Sequence, residues 1–206
     1  MKNPNCTSRT ILDAATLLFS EQGYDGTSVA EIAKLAGVAS GTVIYQYKSK
    51  ENLLQVIAWE FCNNLLQQLR QAGRPQEGRS TLINYVRTFF EYVDNHRAES
   101  MVILRYYMVF QRDLQRFPLA ADGLRALSVC IQDLRQTLAV IAEHCHAPSD
   151  LVDQLLDGMA AKLLGASWLL VFTGKELEAL EQEMLSSMLL RIDSLAEQMA
   201  QPETAS

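Results

Sequence analysis

Residues 28–50 read SVAEIAKLAGVASGTVIYQYKSK. Ser28 stands where a helix N-cap is needed, and Glu31 completes a capping box in which each residue satisfies the other's amide. Ile32, Ala33 and Leu35 sit inside the short helix that follows. Gly37 ends it, because glycine takes the left-handed backbone of a tight turn without a Cβ penalty. A second short helix is expected from about Ser40 to Gln46. Ala33 lets the two helices approach closely, while Ile32, Val38 and Val43 fill the space behind them. Two short helices across a glycine turn are the ingredients of a helix-turn-helix. On that spacing alone, a helical hairpin inside a larger bundle fits equally well.

The run from Gly41 to Leu54, GTVIYQYKSKENLL, breaks the tie. A seven-residue helix bearing Thr42, Tyr45, Gln46 and Tyr47, followed at once by Lys48 and Lys50, is poorly explained as core. Hydroxyls and lysines suit phosphate contacts, Gly41 permits close backbone approach, and Gln46 can donate and accept on a base edge. Helix N-termini at Ser28 and Ser40 add amide donors for phosphates. Tyr47 has a plainer reading as packing between the third and fourth helices, and Lys48 as a solvated charge. Lys50 opens a helix, where a cation meets the positive end of the dipole. A bound phosphate would resolve that misfit.

Helical periodicity recurs on both sides, and the chain is predicted to be all-α, with about nine helices. A first helix over about Thr7 to Gln22 buries Ile11, Ala14, Ala15, Leu18 and Phe19 along one stripe and ends at Gly23. Ser49 caps a fourth helix to about Ala72, roughly 23 residues and so about 35 Å long. Later helices are expected over 79–95, 98–114, 119–145, 150–173 and 176–200. The expected division is a helix-turn-helix domain over 1–49 and a helical body over 50–206.

The 206 residues carry a formal net charge of −6, unevenly placed. Residues 1–50 hold five Lys/Arg against four Asp/Glu, so a near-neutral head precedes an acidic body. Whole-chain acidity argues mildly against nucleic acid, but basic groups gathered on one surface can still bind it. No stretch is long and apolar enough for a transmembrane helix, and the polar start lacks a signal peptide's apolar core. A cytoplasmic protein is expected. Cys6, Cys62, Cys130 and Cys145 are too widely spread for metal-ligand spacing and are expected as free thiols. His144 and His146 flank Cys145 on different helix faces, so neither metal nor cofactor is expected.

In the body, Leu177, Leu180, Met184, Met188, Ile192, Leu195 and Met199 recur every three or four residues. Leu151 to Met159 is striped, and Gly165 to Phe172 is apolar nearly all round. An intramolecular core explains part of this pattern, and a four-helix dimer interface suits the width of the arcs. The expected interface takes in Leu155, Met159, Gly165, Leu180, Met184, Met188 and Ile192. Candidates to line an effector site are Trp59, Phe89, Arg105, Tyr107, Gln111, Trp168 and Phe172. Arg105 is a cation within the apolar run Met101–Phe110 and needs a partner if buried.

Residues 7–56, with EQGYDGTSV, IAKLAGV and the GTV–Y–Y–SKENL run in order, resemble the tetracycline-repressor (TetR) family of bacterial regulators. The resemblance implies a helical body that dimerises and binds a small-molecule effector. It makes Ser40, Gly41, Thr42, Tyr45 and Gln46 the groove-facing set, Tyr45 and Lys50 phosphate anchors, and Thr27 and Ser28 backbone contacts. Ile44 departs from a frequent tyrosine and offers an apolar contact, such as one to a thymine methyl. Ala39 departs from a frequent capping serine, so the cap falls to Ser40 or is lost. No phosphate loop, nucleophile elbow or metal motif supports an enzyme. The expected function is a ligand-responsive regulator, a repressor binding a palindromic double-stranded operator as a homodimer. The alternative is a helical adaptor that has lost DNA binding.

Overall fold

The computed structural model describes residues 4–72, 79–113, 115–144 and 149–200. Among them the chain forms nine helices and no strand: α1 (Pro4–Gly26), α2 (Val29–Ala36), α3 (Ser40–Tyr47), α4 (Lys50–Gln71), α5 (Arg79–Asn95), α6 (Arg97–Arg112), α7 (Pro118–His144), α8 (Ser149–Thr173) and α9 (Leu177–Ala200). The all-α expectation holds. Two compact units emerge, Met1–Asn64 with His96–Ala126, and Leu65–Asn95 with Leu127–Ser206. Compactness thus groups the helix-turn-helix with α6.

In the first unit, Ile11, Ala15 and Phe19 of α1 are fully buried, with Leu12 and Ala14 beside them; Leu18 is only half-buried. The helical run breaks at Gly23, whose φ of 82° and ψ of 166° turn the chain toward α2. The capping box forms as the spacing requires. The Ser28 side chain accepts from the Glu31 amide, and the Glu31 carboxylate accepts from the Ser28 amide at 2.7 Å. Those bonds to Ser28 hold the Glu31 carboxyl below the usual carboxylate range. Gly37 is left-handed at φ 66°, and its N–H reaches the Ala33 and Lys34 carbonyls. Ile32, Ala33 and Val43 are buried behind this turn.

Gly123 of α7, on which the sequence reading placed nothing, lies against α4. A Cβ there would sit 3.0 Å from the Trp59 Cα and 3.2 Å from the Ala58 carbonyl oxygen, so the two backbones touch. Buried Cys62, in no disulfide, lies on the same stretch of α4. The Cys6 and Cys130 side chains, and Cys145 and His146 altogether, lie outside the described residues.

In the second unit α5 packs on α8 and α9, which pack on each other. Leu82, Val86 and Phe90 of α5 are buried, as are Leu155, Met159 and Leu170 of α8 and Leu180, Met184 and Met188 of α9. Ion pairs Arg87–Glu181, at 3.0 Å, and Arg79–Asp193 tie α5 to α9 at the surface. No helix among the described residues is long and apolar enough to cross a membrane.

Candidate nucleic-acid interface

Val43 fixes the rotation of α3, because it is buried and its neighbours are not. Successive side chains on a helix are about 100° apart, so anchoring Val43 turns Ser40, Gly41, Ile44 and Tyr45 outward on one face. All four are exposed, Tyr45 at 78% and Ile44 at 43% of their full areas. Thr42 is half-buried at the edge of that face. The N-cap is Ala39, with no side-chain bond, so the cap is lost rather than moved to Ser40. A Cβ added to helical Gly41 would meet nothing within 4 Å. Its lack of a side chain therefore answers no need inside the protein. Gly41→Ala is expected to leave stability unchanged or raise it by about 0.5–1 kcal/mol. A thermal melt of the variant beside the wild type checks this.

Lys48 ends α3 with a positive φ of 66° and a ψ of −45°, a backbone that glycine would adopt with less strain. Its amide bonds the Ile44 carbonyl at 2.9 Å, and its ammonium donates to the Tyr45 carbonyl at 3.0 Å. The ammonium also lies 5.4 Å from the Tyr45 ring centre.

Gln46 and Tyr47 face the other way. The Ser8 hydroxyl donates to Gln46 Oε1 at 2.5 Å, and the Tyr47 hydroxyl donates to the Ser8 carbonyl at 2.9 Å. Burial, then the nearby Glu60 carboxylate, pushes the Tyr47 phenol up from its ordinary value. Both residues join α3 to α1, so Tyr47 is a packing residue. Gln46 is half-buried, with its carbonyl oxygen taken.

Two contacts expected from the sequence have a different role. Thr27 is 2% exposed, and its hydroxyl donates to the Gly23 carbonyl at 2.7 Å, so it braces the α1–α2 turn from inside. Lys50 donates to the Tyr24 carbonyl at 2.7 Å and the Thr27 carbonyl at 2.8 Å, and lies 4.1 Å from the Tyr24 ring centre. Two carbonyls and an aromatic face, rather than a phosphate, resolve the cation at the start of α4. Ser28 remains exposed beside the capping box. From α6, Tyr106 accepts the Tyr24 amide at 2.7 Å, and Arg105 donates to the Phe19 carbonyl at 3.3 Å. Exposed Arg105 thus finds a backbone partner on α1.

Residues 11–57 match the family described as bacterial regulatory proteins, tetR family. This segment belongs to the TetR family. The TetR match covers α2 and α3 entire. A transcriptional repressor, KstR2 of Rhodococcus jostii, is 34% identical over 90 residues, 43% of this chain and 44% of its own length. The chain spans about half or less of the curated relatives it matches. A TetR-family regulatory protein from Rhodococcus RHA1 superposes with a TM-score of 0.73 at 20% identity, covering 90% of this chain and 96% of that one. FadR of Bacillus subtilis, solved with stearoyl-CoA, does so at 0.66 and 21% identity, over 88% and 97%. The likeness extends the TetR fold across most of the chain.

Within the TetR-like body, the expected effector residues divide between the units. Trp59 and Arg105 fall in the first, Phe89, Trp168 and Phe172 in the second. The Tyr107 and Gln111 side chains lie outside the described residues. Trp168 and Phe172 stack at 5.1 Å and Phe89 meets Phe90 edge-on at 5.6 Å. A groove of about 290 Å³ between α8 and α9 is lined by Lys162, Ala166, Leu169, Leu180, Glu183, Met184 and Ser187, none of them an effector candidate.

The expected dimer set also needs correction. Leu155, Met159, Leu180, Met184 and Met188 are each at most 9% exposed within a single protomer. They contribute to the protomer's own core, and Leu180 and Met184 also line the α8–α9 groove. Ile192's side chain lies outside the described residues. Gly165 is exposed, in a stripe with Ala161, Leu164 and Trp168 at helical spacing. That stripe, and Leu190 on α9 at 72% exposure, leave apolar surface outward.

Proposed function

We propose that the protein is a transcriptional regulator that binds palindromic double-stranded DNA as a homodimer, with residues 1–49 as the DNA-binding head. The observation that carries this reading is the outward face of α3: Ser40, Gly41, Ile44 and Tyr45, with strained Lys48 at its end. Residues 11–57 match a regulatory family and Gly41 has open space before it, which supports the same reading. Two α3 helices related by a two-fold axis would enter major grooves one turn apart, about 34–36 Å. An effector that favours another spacing of the heads would shift the population away from the DNA-competent state. The KstR2 name supports repression, and the acyl-CoA in FadR supports a small-molecule effector bound in residues 50–206. Such a protein works in the cytoplasm, where the DNA is.

The test is selection of bound duplexes from a randomised library, followed by measurement of complex stoichiometry. A two-fold symmetric consensus bound by two chains is expected. An adaptor would enrich no sequence.

The dimer face in this reading is the stripe Ala161, Leu164, Gly165 and Trp168 with Leu190. Leu164→Glu is expected to convert dimer to monomer in light scattering while keeping the helical circular-dichroism signal. Met184→Ala, by contrast, should destabilise the fold by about 2–4 kcal/mol.

A further inference from the structure

We propose that α3 selects its operator by the C5-methyl groups of thymine, read by Ile44. This rests on the DNA-binding reading above and specifies what that face recognises. The residues of α3, SGTVIYQY, include no Arg, Lys, Asn, Asp, Glu or His. Paired bonding to guanine needs a guanidinium or ammonium, and bonding to cytosine N4 needs a carboxylate. Adenine needs an amide that donates and accepts together. The amide in α3 is Gln46, whose acceptor oxygen takes the Ser8 hydroxyl at 2.5 Å and whose side chain is half-buried.

What α3 presents is one exposed branched hydrocarbon, flanked by hydroxyls. Ile44 stands one turn after Ser40 and beside Tyr45, with Val43 buried behind it. Its β-branch restricts χ1, so the hydrocarbon is held in place before DNA arrives. Gly41, with no atom within 4 Å of where a Cβ would stand, lets this turn of α3 come close to the groove floor. In the major groove the matching feature is thymine's methyl. A hydroxyl from Ser40 or Thr42 makes a single bond that either donors or acceptors satisfy, and so discriminates little.

The experiment replaces each thymine of a selected duplex by deoxyuridine, which removes the methyl and keeps the base pair. Binding is measured by fluorescence anisotropy at fixed salt for the wild type and Ile44→Ala. Burial of one methyl predicts about fourfold weakening at one thymine, and about fifteenfold when its symmetry mate is also changed. Ile44→Ala should bind more weakly and be indifferent to methyl loss at the same positions. 5-Bromodeoxyuridine, whose bromine is about methyl-sized, should restore wild-type binding. Wild-type binding insensitive to every replacement, or equal sensitivity in Ile44→Ala, overturns the assignment while leaving DNA binding intact. Failure to select any duplex removes the DNA-binding reading and this inference with it. Thermal melts check that Ile44→Ala remains folded, as expected of an exposed position.

Discussion

Tyr45→Ala is expected to weaken binding to a selected duplex by at least about tenfold and to leave the thermal midpoint almost unchanged. The asymmetry follows from where the side chain sits. At 78% exposure it contributes no core, and its ring centre lies 5.4 Å from the Lys48 ammonium. Surface substitutions of this kind change stability by about 0.5 kcal/mol or less. A phenol donating to a phosphate makes a charge-assisted bond of about 1.5–3 kcal/mol, present twice in a symmetric complex. Anisotropy titration and a thermal melt on one preparation check both halves. Full retention of binding would show that α3 meets DNA by some other face, or not at all.

Lys50→Met should give the opposite pattern. The substitution keeps the apolar stem and removes an ammonium bonded to the Tyr24 and Thr27 carbonyls at 2.7 and 2.8 Å. Both carbonyls flank the turn that sets α2 against α1, and the Tyr24 ring loses its cation as well. A loss of about 2 kcal/mol is expected, a fall of about 5 °C in a protein of this size. DNA affinity will drop only as far as the head loosens. The salt dependence decides the role. A phosphate anchor contributes about 0.9 to the slope of log K against log salt, and a strut contributes nothing. The slope for Lys50→Met should equal that of the wild type.

The helix boundaries were largely readable because capping chemistry is local. Ser28 with Glu31, Gly37 and Ser49 each act on amides or carbonyls within a few residues. The Asn52 amide indeed bonds the Ser49 hydroxyl at 3.0 Å. Roles that depend on distant partners were not readable. Gln46 meets Ser8, and Lys50 meets Tyr24, across separations that helical spacing does not report. Thr27 is a backbone contact only by family resemblance, and its burial and its bond to the Gly23 carbonyl depend on how α1 ends. In the body, three-and-four spacing in α8 and α9 marked burial without saying against what. Leu155, Met159 and Met184 are buried inside the protomer. The outward stripe lay partly hidden in a segment apolar nearly all round. Gly123 carried one faint signal, a glycine inside a helical pattern, which points to close backbone approach.

The most direct test of the central claim is the salt dependence of binding to a selected duplex, wild type beside Tyr45→Ala. Saturable, sequence-preferring binding should weaken steeply and linearly on logarithmic axes as salt rises, by about 0.9 per phosphate neutralised. Tyr45→Ala should lie well below the wild type at every salt concentration. Folded, dimeric protein that prefers no sequence and shows a flat salt profile would contradict the assignment of α3 as a DNA-reading helix.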